Sequence, residues 1–299
     1  MQPRTIYLLF IILLYASSCE DVISVDVPTG KSRLIVDALI RVDTTEQFIP
    51  VVVKVSETTN FFEDIPVTSL ENVIIIYETT DASGVTSTGT SSLIDLEVGS
   101  GLYIPDPNFS VDQRIKTSVL ENENVLFSLI MDHKGRKYIA QTRYVKSAAL
   151  TKVEQGTQTL FNKEETEIVV AFKDNKDTDN FYVFDFDFNE FLVTEDAFYN
   201  GQEFEFSYFY DKDLESGREL SISILGSDLT FYNYMNQLLE QTEGSQGPFQ
   251  TPSSTVRGNI FDITDLDNQS VFDNVQQSDV FPLGYFAIVQ EYKRTITLN

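Results

Sequence analysis

From Arg33 onward the chain alternates short apolar runs with clusters of turn formers. RLIVDALI (33–40), FIPVVVKV (48–55), NVIIIYET (72–79), GLYIP (101–105), NVLFSLIMD (124–132) and RKYIAQTRYV (136–145) have the length and the β-branched or aromatic content of strands. DHKG at 132–135 is a tight turn, so residues 124–145 are predicted to form a hairpin. Leu126, Ser128 and Ile130 alternate with Val125, Phe127 and Leu129, which predicts burial on both faces of that strand. No helical period interrupts the series. Short strands at this spacing predict a β-sandwich, immunoglobulin-like or transthyretin-like, over residues 32–147.

Between Lys146 and Glu164 the periodicity weakens, which places a domain boundary there and a second, antiparallel β-rich domain over 148–299. EIVVAFKD leads through the polar turn DNKDTDN into FYVFDFDF, where Tyr182, Phe184, Phe186 and Phe188 fall on one face and Asp185 and Asp187 on the other. EFEFSYFY repeats the device, with Phe204, Phe206, Tyr208 and Tyr210 opposite Glu203, Glu205 and Ser207. Such alternation predicts a sheet with one buried and one wet face. RELSISIL continues the strands, and GYFAIVQEYKRTITL ties the C-terminus into the fold. One amphipathic helix is predicted near 228–243. Ser227 or Asp228 can cap it, and Phe231, Tyr234, Met235, Leu238 and Leu239 form a continuous apolar stripe. Gly244 and Pro248 supply its stop.

Composition sharpens this picture. With 23 Phe, 14 Tyr and no Trp, the chain has the aromatic content of a folded sheet protein rather than of a disordered one. Lys and Arg number 21 against 46 Asp and Glu, a net charge of −25. A field of that sign repels phosphate backbones, so nucleic acid is excluded as a partner.

The first residues set the address. Arg4 precedes an apolar run, Ile6 to Ala16, that is too short to span a hydrocarbon core, which needs about 20 residues. This is the charged and apolar pattern of a secretory leader, assigned to 1–18. Ala16, Ser17 and Ser18 lead to Cys19, the only cysteine in the chain, and a lone thiol in an exported protein has no internal partner. The run resembles the bacterial lipobox, with Ala16 standing where leucine is commonest. The resemblance implies cleavage before Cys19 and lipidation of it, with 19–31 as a tether carrying Pro28 and Gly30. Glu20 and Asp21 look like the acidic export signal that sends Bacteroidota lipoproteins to the outer face of the outer membrane; a merely acidic linker is the other reading.

Little in the chain suggests catalysis. His133 is the only histidine and is expected to be a solvent residue of the hairpin turn, which leaves no base for a nucleophilic serine. Asp185, Asp187, Glu203 and Glu205 could neighbour one another on a wet face, but exposed acids offer no raised-pKa proton donor for a hydrolase. Acids suit calcium better. Asp174, Asp177 and Asp179, with Asn180, and Asp262, Asp265 and Asp267, with Asn268, supply the oxygens calcium takes. The same residues are turn formers, and neither loop has the glycine and closing glutamate of an EF-hand. No other cofactor is expected.

The order Pro248-Phe249, Gly258-Asn259-Ile260, Gly284-Tyr285-Phe286 follows the helix. Before it come LIVDALI, IPVTSLENVIIIY, GLYIP and a hairpin ending in KYIAQ. This set resembles a Bacteroidota outer-membrane lipoprotein family of the domain-of-unknown-function 4249 type, often encoded beside TonB-dependent receptors. The resemblance implies a lipid-anchored, surface-facing, non-catalytic accessory of such a receptor barrel, and it supplies no catalytic residue. The rival expectations are a stand-alone structural or adhesive module stiffened by calcium and, further off, a carboxylate hydrolase.

Overall fold

The structure, a computed structural model, describes residues 31–59, 66–80, 83–121, 124–161, 164–242, 255–265 and 281–299. The first strands are β1 (Leu34–Val42), β2 (Val53–Glu57), β3 (Asn72–Thr80), β4 (Thr86–Asp95) and β5 (Leu102–Pro105). The hairpin β6 (Leu126–His133) and β7 (Arg136–Val145) follows, then β8 (Leu150–Gln155), β9 (Thr166–Lys173), β10 (Phe181–Asp185) and β11 (Phe191–Glu195). After β12 (Glu203–Tyr210) and β13 (Glu219–Ser227) come the helix α1 (Leu229–Thr242), the short β14 (Ile260–Asp262) and the long β15 (Leu283–Thr297).

The first half of the chain does not form two open sheets. Its strands run β15–β1–β2–β5–β4–β3–β6–β7, and β7 then pairs with β15, closing an eight-stranded ring. The closing strand comes from the far end of the chain: β15 lies parallel to β1 from Ile35↔Leu283 to Val42↔Gln290 and parallel to β7 at Ile288↔Tyr144 and Val289↔Val145. Closure leaves no hydrogen-bonding edge open around the ring, a solution to the edge problem that a sandwich does not offer. Residues 147 and 148 do fall between β7 and β8. The chain beyond them nevertheless returns to the ring through β15 and through β14, which pairs with β7 at Ile260↔Ala140, so both halves share one sheet.

The ring's interior follows from period-2 alternation. On β1 Leu34, Val36, Ala38, Ile40 and Val42 are buried, and on β6 Phe127, Leu129 and Met131 meet them in one core. Leu126, Ser128 and Ile130 on the outer face of β6 are only half-buried, short of the two-sided burial that alternation predicted. The hairpin turns on Lys134 and Gly135, with φ of 50° and 72°, while His133 still pairs with Arg136. Two consecutive positive φ values match the strand twist, and glycine reaches one of them without strain.

β15 outlasts the ring. Its second half pairs with β13, which continues to β10 and β11. A separate three-stranded sheet, β12–β9–β8, lies against this extension through an aromatic layer. Phe172 of β9 meets Phe184, Tyr182 and Phe204, and Phe186 stacks on Tyr208 with ring centroids 3.8 Å apart. The aromatic faces of FYVFDFDF and EFEFSYFY therefore bury one another. β10 ends at Asp185, however, because Asp187, Phe188 and Asn189 all turn with positive φ.

Helix α1 packs on the opposite face of the same sheet, where Phe231 and Met235 bury against Val183, Leu225, Tyr285, Ala287 and Val289. Asp228 is its cap, accepting the Phe231 N–H at 2.7 Å. Gly244 and Pro248 lie outside the described residues.

The motifs after the helix are structural. The Asn259 side chain is buried and mimics a strand, donating to the carbonyls of Phe286 and Gln141 and accepting the Phe286 N–H at 2.8 Å. A Cβ on Gly258 would sit 1.6 Å from the Gly284 oxygen, and one on Gly284, whose φ is +96°, 1.8 Å from the Val36 oxygen. Both positions demand glycine.

Candidate functional site

The sequence-predicted site residues scatter. Cys19, Glu20 and Asp21 lie outside the described residues, as does Asp267. Asp174 is buried and accepts from the Tyr182 hydroxyl at 2.6 Å and the Gly201 N–H at 2.8 Å. Asp177 and Asp179 stay exposed on the turn beyond it. Asp262 is buried and salt-bridged to Arg136, whose Nε donates at 2.5 Å, and it also accepts the Thr264 N–H at 2.9 Å. Asp265 stands exposed in a left-handed turn. Among the described residues no group of three or more His, Cys, Asp or Glu is placed to hold a metal ion. The oxygens of Asp174 and Asp262 already serve internal donors.

The four acids considered for hydrolysis are not gathered either. Asp185 forms an ion pair with Arg41 at 2.6 Å, and Asp187 accepts the N–H of Phe188 in its own turn at 2.9 Å. Glu203 and Glu205 are on the other sheet, beside Thr151 and Lys152. The aromatic layer separates the two sets, because the residues alternating with the acids face inward.

His133 is not a solvent residue. It is 5% exposed, with Nδ1 3.0 Å from the Ser69 carbonyl and Nε2 3.1 Å from Glu57 Oε1. Glu57 is the hub of this cluster and accepts from Lys134 Nζ at 2.6 Å, Thr68 Oγ1 at 2.7 Å and Ser32 Oγ at 2.8 Å. Burial alone would raise its carboxyl, but hydrogen bonds from Lys134, Thr68 and Ser32, with the Lys134 charge, outweigh that and hold it at about 2. The cluster ties the start of the folded body to the β6–β7 hairpin, and the chain's only imidazole is engaged there.

One feature able to receive a ligand among the described residues is a groove of two neighbouring chambers, of about 890 and 480 Å³. Leu120, Tyr144 and Lys146 line both chambers. The rim of the smaller is a short ribbon: Ile49 N–H donates to Ile115 and Thr117 N–H to Gln47. Thr117 then opens a 3₁₀ turn, Thr117–Glu121. Its Oγ is buried without a hydrogen-bond partner among the described residues. Tyr144 lies on β7 where the strand leaves the ring for β8. Burial pushes its hydroxyl up to about 12, with Tyr292 adding to the effect, so it remains a neutral donor and acceptor. Lys116 and Lys146 line the smaller chamber beside Glu46 and Glu121, while Lys173 and Asp179 line the larger. Leu120, Val125, Val145 and Phe181 supply apolar wall. Hydroxyls, ammoniums, carboxylates and apolar patches together suit reversible binding.

Local sequence patterns carried no trace of this groove. Thr117 and Lys116 sit in a polar connection, and Tyr144 reads as one more strand aromatic. No curated protein matches the chain. A family model does, over residues 20–271, and its description is a domain of unknown function, DUF4249. That span takes in the ring strands up to β7, the aromatic layer, the helix and the Asn259 staple, and on this match the chain belongs to the DUF4249 family.

Proposed function

We propose that this protein is a surface-exposed lipoprotein of the outer membrane and a non-catalytic binding or accessory partner of a TonB-dependent transporter. The groove is the observation that carries the binding half of the reading: it is large, mixed in polarity, and built on a closed ring and a doubly covered sheet, which makes it a rigid receptor. The leader and Cys19 support the address, and Glu20 and Asp21 support the outward orientation. Engagement of His133 by Ser69 and Glu57 supports a role without acid–base chemistry.

The mechanism is tethering. Acyl chains on Cys19 hold the body at the membrane, each buried methylene contributing about 0.8 kcal/mol, and the folded body presents the groove above it. Mass spectrometry of the protein isolated from native membranes, together with its co-purifying proteins, tests both halves. An acylated Cys19 as the first residue and a recovered barrel protein are expected. An intact leader with a bare thiol overturns the address, and recovery of no barrel overturns the partnership.

A further inference from the structure

We infer that the groove takes a short extended peptide carrying charges of both signs, an inference that deepens the binding reading above and rests on it. Size is the first argument. Sites for single small molecules occupy roughly 300–1,000 Å³. The larger chamber already lies near the top of that range at about 890 Å³, and the smaller adjoins it at the shared wall of Leu120, Tyr144 and Lys146, so a ligand that occupies both is a chain of units.

Charge selects which chain. A polyanion meets a body of net charge −25. A neutral oligosaccharide would offer no opposite charge to the exposed ammoniums and carboxylates around the chambers. Lys116 lies with Glu46 and Glu121 in one chamber, and Lys173 with Asp179 in the other; none of these five makes a salt bridge among the described residues. A peptide returns a carboxylate to the lysines and an ammonium to the acids.

Hydrogen bonding agrees. The Thr117 hydroxyl is buried and unpartnered, and the Tyr144 hydroxyl makes no hydrogen bond among the described residues. The Tyr144 hydroxyl, in the wall that both chambers share, suits a ligand that offers a donor and an acceptor at every residue, as peptide backbone does. Leu120, Val145 and Phe181 give apolar side chains a wall.

The test passes a random hexapeptide library with free termini, and separately maltohexaose, over the full-length lipidated protein in detergent. The peptide retained best is resynthesised with a fluorophore, and its affinity is read by anisotropy. Retention of hexapeptides of mixed charge is expected, weakened at least five-fold by Tyr144→Phe and by Lys116→Glu with unchanged melting temperatures, and weakened by added salt. Maltohexaose retained without peptide, neither retained, or a peptide bound equally by both variants would overturn the inference. Barrel recovery from the same membranes separates the two readings. A barrel without peptide sinks only the ligand class, whereas peptide without a barrel sinks only the transporter partnership.

Discussion

Replacing Glu57 with glutamine isolates the value of one carboxylate in the hub that joins Ser32, Thr68, His133 and Lys134. The carboxyl sits at about 2 in the folded protein against an ordinary value of 4.5. A folded pKa below the unfolded one stabilises the native state above the unfolded value, and that contribution drains away as pH falls toward the folded value. At 1.36 kcal/mol per unit, the gap corresponds to about 3 kcal/mol at neutral pH, of which about 2 kcal/mol is lost by pH 3. Glutamine keeps the shape and neutrality of the protonated acid and lacks the charge of the ionised one. Urea unfolding of both proteins from pH 7 down to pH 3 gives the difference directly, and the other carboxylates cancel in the comparison. Glu57→Gln should be less stable by about 3 kcal/mol at pH 7, with the gap closing on acidification. A gap of constant size from pH 7 to pH 3 would refute the assignment of that stability to the ionised hub.

Three further outcomes are expected. Gly284→Ala forces a Cβ against the Val36 carbonyl at the parallel β1–β15 contact that helps close the ring, so it should cost more than about 3 kcal/mol or abolish soluble folding, as read by chemical denaturation and expression yield. Asp228→Ala removes the helix cap and should cost about 1 kcal/mol in the same unfolding assay, with Asp228→Asn restoring most of it. Calcium against chelator should leave the melting temperature unchanged, because Asp174 and Asp262 already hold internal donors; a rise of several degrees with calcium would contradict that placement.

How much was legible depends on where the information lay. β3, β7, β12 and β13 stand close to where their alternation put them, because aromatic and β-branched residues with period 2 leave few other ways to bury a face. β4 escaped notice. TSTGTSSLID is polar and buries only Ser91 and Leu93 among its residues, and it is a strand because Ile74 to Thr80 beside it need partners. β8 and β11 were hidden for a similar reason: the first opens within what reads as a linker, the second follows the left-handed turn at 187–189. His133 was misplaced because a turn position implies exposure, and only the approach of Ser69 and Glu57 from distant segments buries it.

The linear pattern settled the chemistry of the surfaces: sheet rather than helix, aromatic faces that must find each other, and one capped helix. Those properties are local, fixed by the periods of side-chain direction and by turn geometry. Tertiary structure decided closure and site. A strand near residue 290 slides between strands near 40 and 145 to complete a ring, and the groove forms where that ring meets the aromatic layer. Neither could be read along the chain, because pairing between segments this far apart is chosen by the summed burial of the whole fold and leaves no local mark.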